Sequence, residues 1–229
     1  MAHQSPPPSY SAASVPVRVV ADAYTALPEA LRPLAERGEL RSFRKGTVII
    51  EEGSQGDLLY LLLRGKVKAF SIDGREREIT YGVYGPGDYF GEMSLDGGPR
   101  SASVVTLEAT RCVVLTRHSL HQHIAQHPEF AFELLSRVIR RARLATANAR
   151  SLALLDVYGR LVQTLEALAQ PQADGTRLVS ERLTHADLAS RVGCSREMVS
   201  RLLKDLERGG HIWLQGRQWV LAARLPARW

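Results

Sequence analysis

Eleven of the chain's 18 glycines fall between Gly46 and Gly98, where they separate short runs rich in β-branched and aromatic residues. The runs are TVIIEEG, LLYLLLRG, KVKAFSIDG, REITYGVYGPG, SASVVTLEAT and RCVVLTR, spread from about Phe43 to Arg117. Short strands at near-regular spacing, with turn residues between them, build an all-β sandwich or barrel. No repeat period is strong enough for a propeller or a solenoid. The expectation is one compact β-domain.

At Pro128 the pattern changes. Leu135, Val138, Ala142, Ala145, Ala149 and Leu152 then step by three and four in alternation. That 3.5-residue period marks a helix seam facing a second helix. A helix packed only on its own domain has a similar stripe. Four heptad-spaced steps with alanine in the middle favour a symmetric dimer helix. The alanines let two helices approach closely, or leave room beside them for a ligand.

The remainder is basic. Residues 1–127 hold 14 Lys+Arg against 14 Asp+Glu, whereas residues 128–229 hold 16 against 10, so the net +6 lies wholly in the second part. A neutral front and a basic back suggest a sensing domain joined to a polyanion-binding one. Arginines on solvated helix faces give the same count, so charge alone does not decide. With 45% hydrophobic and 24% charged residues the composition is that of an ordinary globular chain. Cys112 and Cys194 make neither a disulfide framework nor a paired metal motif. No signal peptide or apolar stretch of membrane-spanning length is seen, which points to the cytoplasm. Residues 1–16 (MAHQSPPPSYSAASVP) read as a disordered tail, and a short helix is expected near Leu27–Gly38.

The segment LTHADLASRVGCSREMVSRLLK, Leu183–Lys204, carries the most specific signal. Thr184 can cap a first helix, Gly193 can supply a left-handed turn residue, and Ser195 can cap a second helix. Leu188, Val192, Val199, Leu202 and Leu203 supply the apolar contacts. Arg196, Glu197, Ser200 and Arg201 are left on the outward face of the second helix's first two turns. A recognition helix needs that placement to reach base edges in the major groove. Arg can bond guanine O6 and N7 together, and Glu can accept from cytosine N4. Ile212–Leu214 and Gln218–Ala222 form the hairpin that a winged helix-turn-helix adds. A helical hairpin used only for packing does not need exposed Arg and Glu beside the cap.

A second segment runs GDYFGEMSLDGGPRSA, Gly87–Ala102. Its glycines open a short helical turn able to face a phosphate. Glu92 can accept from a ribose hydroxyl, Arg100 can neutralise a phosphate, and Ser101 can donate to it. Taken alone, it is a glycine-rich turn with one arginine.

Together these segments resemble the CRP/FNR family of bacterial transcription regulators, from about residue 27 to 224. PGDYFGEMSL…RSA is similar to the family's phosphate-binding cassette, and GCSREMVSRLLKDLE to its recognition helix. LALLDVYGRL is similar to the junction after the dimer helix, with Asp156 at the hinge. The resemblance implies an α+β chain: a cyclic-nucleotide-binding β-roll (a jelly roll), a long dimerisation helix, and a C-terminal winged helix-turn-helix. The expected divisions are a tail at 1–20, the β-roll at 21–127, the helix at 128–155 and the DNA-binding domain at 156–229. Gly91 and Glu92 match positions that hold the ribose, and Arg100 and Ser101 those that hold the cyclic phosphate. Arg141 matches an arginine near the cassette glutamate.

The same resemblance implies that Arg196, Glu197 and Arg201 match the base-reading positions of the family's catabolite-activator branch and read a TGTGA-like half-site, with Ser200 where that branch has glycine. In that branch the long helix offers two adjacent hydroxyls, Thr then Ser, to adenine; here those positions are Ala145 and Thr146. The implied effector is cAMP, with cyclic di-GMP the nearest alternative. The implied partners are double-stranded DNA, a second copy of the chain, and RNA polymerase.

Other chemistries have less behind them. His118, His121, His123 and His127 look like a metal cluster, but no carboxylate or Cys joins them at ligand spacing, and a polar helix face is the better reading. No metal is expected, and no Ser/His/Asp set or nucleotide-triphosphate loop marks an enzyme. The remaining alternative is a constitutive DNA binder whose cassette is vestigial.

Overall fold

The computed structural model describes Tyr24, Leu27 and residues 29–226 other than 75, 76 and 223. The expected N-terminal tail lies outside the described residues. The chain is α+β. A 3₁₀ turn at Glu29–Leu31 leads into the short helix α1 (Arg32–Ala35), within the stretch where a helix was expected.

Eight strands follow: β1 (Glu39–Phe43), β2 (Val48–Ile50), β3 (Leu59–Arg64), β4 (Val67–Ile72), β5 (Glu78–Tyr84), β6 (Tyr89–Phe90), β7 (Ser103–Thr106) and β8 (Thr110–Leu115). They make two four-stranded antiparallel sheets, in the orders β1-β8-β3-β6 and β2-β7-β4-β5. Tyr60, Leu62, Phe90, Cys112 and Val114 of the first sheet meet Ile50, Val67, Ala69 and Val104 of the second in one core. Leu59, Leu61, Leu63, Val113 and Leu115 point the other way, toward Leu31, Leu34, Leu120 and Phe130 of the helices. β3 is therefore covered on both faces. That explains why it reads as an unbroken apolar run rather than an alternation.

Helix α2 (Arg117–Gln126) starts at Thr116, whose hydroxyl accepts from the Ser119 amide. Helix α3 (Glu129–Leu154) has 26 residues, which makes it ~39 Å long. All six seam positions are exposed on it. Leu155 and Asp156 are extended, and the Asp156 carboxylate accepts from the Gly159 amide at 2.7 Å to start α4 (Val157–Leu168). Arg160 braces this corner, donating to the carbonyls of Leu155 (2.9 Å) and Val192 (2.8 Å).

The last unit holds α5 (His185–Val192), α6 (Arg196–Arg208) and a sheet in the order β11-β12-β10-β9. Its strands are β9 (Ala169–Pro171), β10 (Arg177–Val179), β11 (Ile212–Gln215) and β12 (Gln218–Leu221). Leu161, Leu165, Leu188, Val199, Leu203 and Trp219 form its core. The β11–β12 hairpin is the expected wing. Four strands were not anticipated: β1, β6, β9 and β10. β6 has two residues, and β9 and β10 three each, too short for alternation to register.

Candidate functional site

The site begins at Gly91, which follows β6 with φ of +90°. A Cβ here would lie 2.7 Å from the Leu58 carbonyl oxygen and 2.8 Å from Arg100 Nη1. Both the left-handed backbone and the close approach therefore demand glycine. The 3₁₀ turn Glu92–Ser94 that follows brings Glu92 inward, leaving it 6% exposed.

One carboxylate oxygen of Glu92 accepts from Arg141 of α3 in an ion pair. Arg141 also donates to the Tyr89 carbonyl and lies over the Tyr84 ring, 4.6 Å from its centroid. The other oxygen, Oε2, is buried and has no hydrogen-bond partner among the described residues. A buried acceptor left in that state is costly until a donor reaches it.

Arg100 is the counterpart cation. It is 7% exposed and donates through Nη1 to the Gly91 carbonyl (2.7 Å) and through Nη2 to the Leu58 carbonyl (3.0 Å). These carbonyls orient the guanidinium but carry no charge to neutralise it. Burial lowers its pKa, partly offset by Tyr60, Asp57 and Glu92. Among the described residues no carboxylate stands within ion-pair distance of it. A fixed, buried guanidinium of this kind is a good receptor for a phosphate. Ser101, exposed beside it, has its hydroxyl 3.4 Å from Met93 Sδ.

Gly91, Glu92, Arg100, Ser101 and Arg141 line one cavity of 460 Å³ between the sandwich and α3. That volume is within the range of small-molecule sites, roughly 300–1,000 Å³. β5 forms one wall through residues 81–84, and α3 forms another through Val138, Ala142, Leu144, Ala145 and Asn148. Thr146 does not line it. Its hydroxyl instead donates to the Ala142 carbonyl at 3.0 Å.

The helix-turn-helix is built as its sequence indicates. Thr184 and Asp187 form a reciprocal capping box on α5, Gly193 ends that helix at φ of +72°, and the Ser195 hydroxyl accepts from the Met198 amide to start α6. Val199, Leu203 and Leu206 face the core, while Arg196, Glu197 and Arg201 are exposed. The backbone and Ser195 hydrogen bonds at this helix start hold the Glu197 carboxyl below its ordinary pKa. Ser200 differs from the other three. It is half-buried, and its hydroxyl is 2.8 Å from His185 Nδ1.

Sequence reasoning overlooked two residues that line the cavity and one that orients Arg100. Tyr84 under Arg141 and the Leu58 carbonyl on Arg100 left no local signal. Asn148 did leave one: it stands seven residues after Arg141, two helical turns along the same stripe.

Residues 40–127 match the cyclic nucleotide-binding domain, and residues 159–224 match the Crp-like helix-turn-helix domain. The chain is 37% identical over 201 residues to a CRP-like cAMP-activated global transcriptional regulator of Mycobacterium tuberculosis, covering 85% of this chain and 89% of the relative. It is 32% identical over 189 residues to the cAMP-activated global transcriptional regulator CRP of Haemophilus influenzae, covering 80% and 83%. The solved structure of the c-di-GMP responsive global regulator CLP of Xanthomonas campestris superposes with a TM-score of 0.75 at 25% identity, covering 85% of this chain and 99% of that one. With a cyclic-nucleotide cassette facing a long helix and a winged helix-turn-helix beyond it, the chain belongs to the CRP/FNR family of ligand-responsive, DNA-binding transcription regulators.

Proposed function

We propose that the protein is a cAMP-controlled homodimer that binds a palindrome of TGTGA-like half-sites. The observation that carries the ligand assignment is the pairing of two incomplete groups at one end of the cavity. Among the described residues, Glu92 Oε2 has no donor and Arg100 has no anion. A ribose hydroxyl and a phosphate would complete both. Gly91 and Ser101 flank this end, Arg141 holds Glu92 in place, and Thr146 keeps its hydroxyl on its own helix.

One buried arginine matches one phosphate. Cyclic di-GMP carries two phosphates, and among the described residues lining the cavity only Arg100 and Arg141 are cationic. Arg141 is already committed to Glu92. A mononucleotide is thus the better fit, although the Xanthomonas relative named above responds to cyclic di-GMP.

A second copy would pair along α3, where Phe132, Leu135, Val138, Ile139 and Leu152 are exposed at 72%, 53%, 37%, 42% and 51%. Burying such a stripe in a helix–helix seam is strongly favourable, at about 25 cal/mol per Å² of apolar surface. Pairing would set two α6 helices side by side to read half-sites about 34 Å apart. Arg196, Glu197 and Arg201 would read bases, while Ser200 steadies the helix through His185. Control follows from differential affinity, the nucleotide binding the DNA-competent arrangement more tightly than the other.

Calorimetry of the purified protein with cAMP, cGMP and cyclic di-GMP in parallel tests the ligand, with DNA affinity measured in each mixture. Saturable cAMP binding that changes DNA affinity is the expected result. DNA binding unchanged by all three would instead establish the constitutive reading with a vestigial cavity.

A further inference from the structure

We infer that Asn148 reads the base of the bound nucleotide and sets a preference for adenine over guanine. The inference rests on the cyclic-nucleotide reading of the cavity. Phosphate and sugar belong at the end formed by Arg100 and Glu92, and Arg141 ties that end to α3. The rest of the cavity continues along α3 past Leu144 and Ala145 to Asn148. Asn148 follows Arg141 by seven residues, about 10.5 Å along the helix axis and on the same stripe.

The helical wall past Arg141 is otherwise apolar. Of its described lining residues, Leu144 and Ala145 offer no hydrogen-bonding side chain, and Asn148 does. Its carboxamide makes no hydrogen bond to any described residue, unlike Thr146, which is bonded within the helix. The amide is therefore available to a ligand at no internal cost.

A carboxamide presents one acceptor and a pair of donors side by side. Adenine presents the complement on one edge, an N6 donor beside an N7 acceptor, so the two can form a bidentate pair. The same edge of guanine carries two acceptors, O6 and N7, and leaves the amide oxygen facing an acceptor. Discrimination by such pairs is worth roughly 1–3 kcal/mol, or about 5- to 150-fold in affinity.

The test is calorimetry with cAMP and cGMP on the wild-type protein, Asn148→Ala and Asn148→Asp. Position 148 is exposed on a helix, so alanine preserves the fold and favours the helix. The wild type should prefer cAMP. Asn148→Ala should lose about 5- to 150-fold in cAMP affinity and bring the two nucleotides close to parity. Asn148→Asp, with acceptors only, keeps a partner for N6 but none for N7, so it should also weaken cAMP and should not improve cGMP, whose same edge carries acceptors alone. Unchanged cAMP affinity and an unchanged cAMP-to-cGMP ratio in Asn148→Ala would overturn the role of Asn148 and leave the cavity assignment intact. A wild-type protein that binds neither nucleotide would overturn both.

Discussion

The hydroxyls of Thr80 and Ser190 meet at 3.0 Å, joining β5 of the sandwich to α5 of the helix-turn-helix. Ser190 is 7% exposed and also donates to the Asp187 carbonyl at 3.1 Å, so it is fixed on both sides. The strand that carries Thr80 supplies residues 81–84 to the cavity wall. One strand thus touches both the ligand space and the first helix of the DNA-binding unit. A shift of β5 on ligand binding has a direct mechanical route to α5.

Thr80→Val keeps the shape and β-propensity of the position but removes this bond, a loss of about 0.5–1.5 kcal/mol. Local opening of the junction should become more frequent. Amide hydrogen exchange is expected to rise in both 78–84 and 185–192 while the sandwich core stays protected. Exchange unchanged in the second segment would show that the hydroxyl pair does not hold the units together.

Arg100→Leu should remove cyclic-nucleotide binding. Charge-assisted hydrogen bonds contribute about 1.5–3 kcal/mol each, so calorimetric affinity should drop at least tenfold. Arg100→Lys keeps the charge but not the planar fork that spans the Gly91 and Leu58 carbonyls, and it should recover only part of the loss. Wild-type affinity in Arg100→Leu would move the phosphate elsewhere.

Arg196 and Arg201 are both exposed on α6, one and six residues past its cap at Ser195. Arg196→Ala should cost about 1–3 kcal/mol on the best operator and relax preference at one base position. Binding to a panel of operators with single substitutions measures this. A uniform loss over the panel would mean that Arg196 touches only phosphate.

The α3 seam predicts its own disruption. Leu135 is 53% exposed in the single chain, so Leu135→Glu should leave the protomer folded while placing a charge in the helix–helix contact. Sedimentation should show a monomer, with operator affinity falling as the two half-sites are no longer bound together. A dimer that survives would mean that α3 is not its principal seam.

Much of this was legible in residue patterns because the relevant physics is local. The caps at Thr184 and Ser195 and the turn at Gly193 act within a few residues, and each is found where its residue type points. The cassette could be recognised as a motif, yet its chemistry depends on distant partners. Arg100 is oriented by the Leu58 carbonyl, 42 positions earlier, and Glu92 is held by Arg141, 49 positions later. The orphan Oε2 appears only once that pair has formed. Thr146 shows the converse, because a hydroxyl one position from the cavity stripe turns back on its own helix instead.

His123 offers a test of acid stability. It is 1% exposed, both ring nitrogens are buried with no hydrogen-bond partner among the described residues, and the Phe130 ring meets it edge-on at 5.0 Å. Burial lowers its pKa, helped by His127 on its own helix side and by Arg37 after α1, and opposed by Glu129 at the start of α3. The folded state therefore favours the neutral ring, whereas the unfolded chain takes up a proton near the ordinary value of about 6.5. The sign follows: this contribution is complete above about pH 6.5 and is lost as pH falls below it, because the unfolded state then binds more protons. Melting temperature should decline on acidification over that range. His123→Leu, which fills the same apolar site without a titrating group, should flatten the decline; an equally steep profile in the variant would assign the acid sensitivity to other groups.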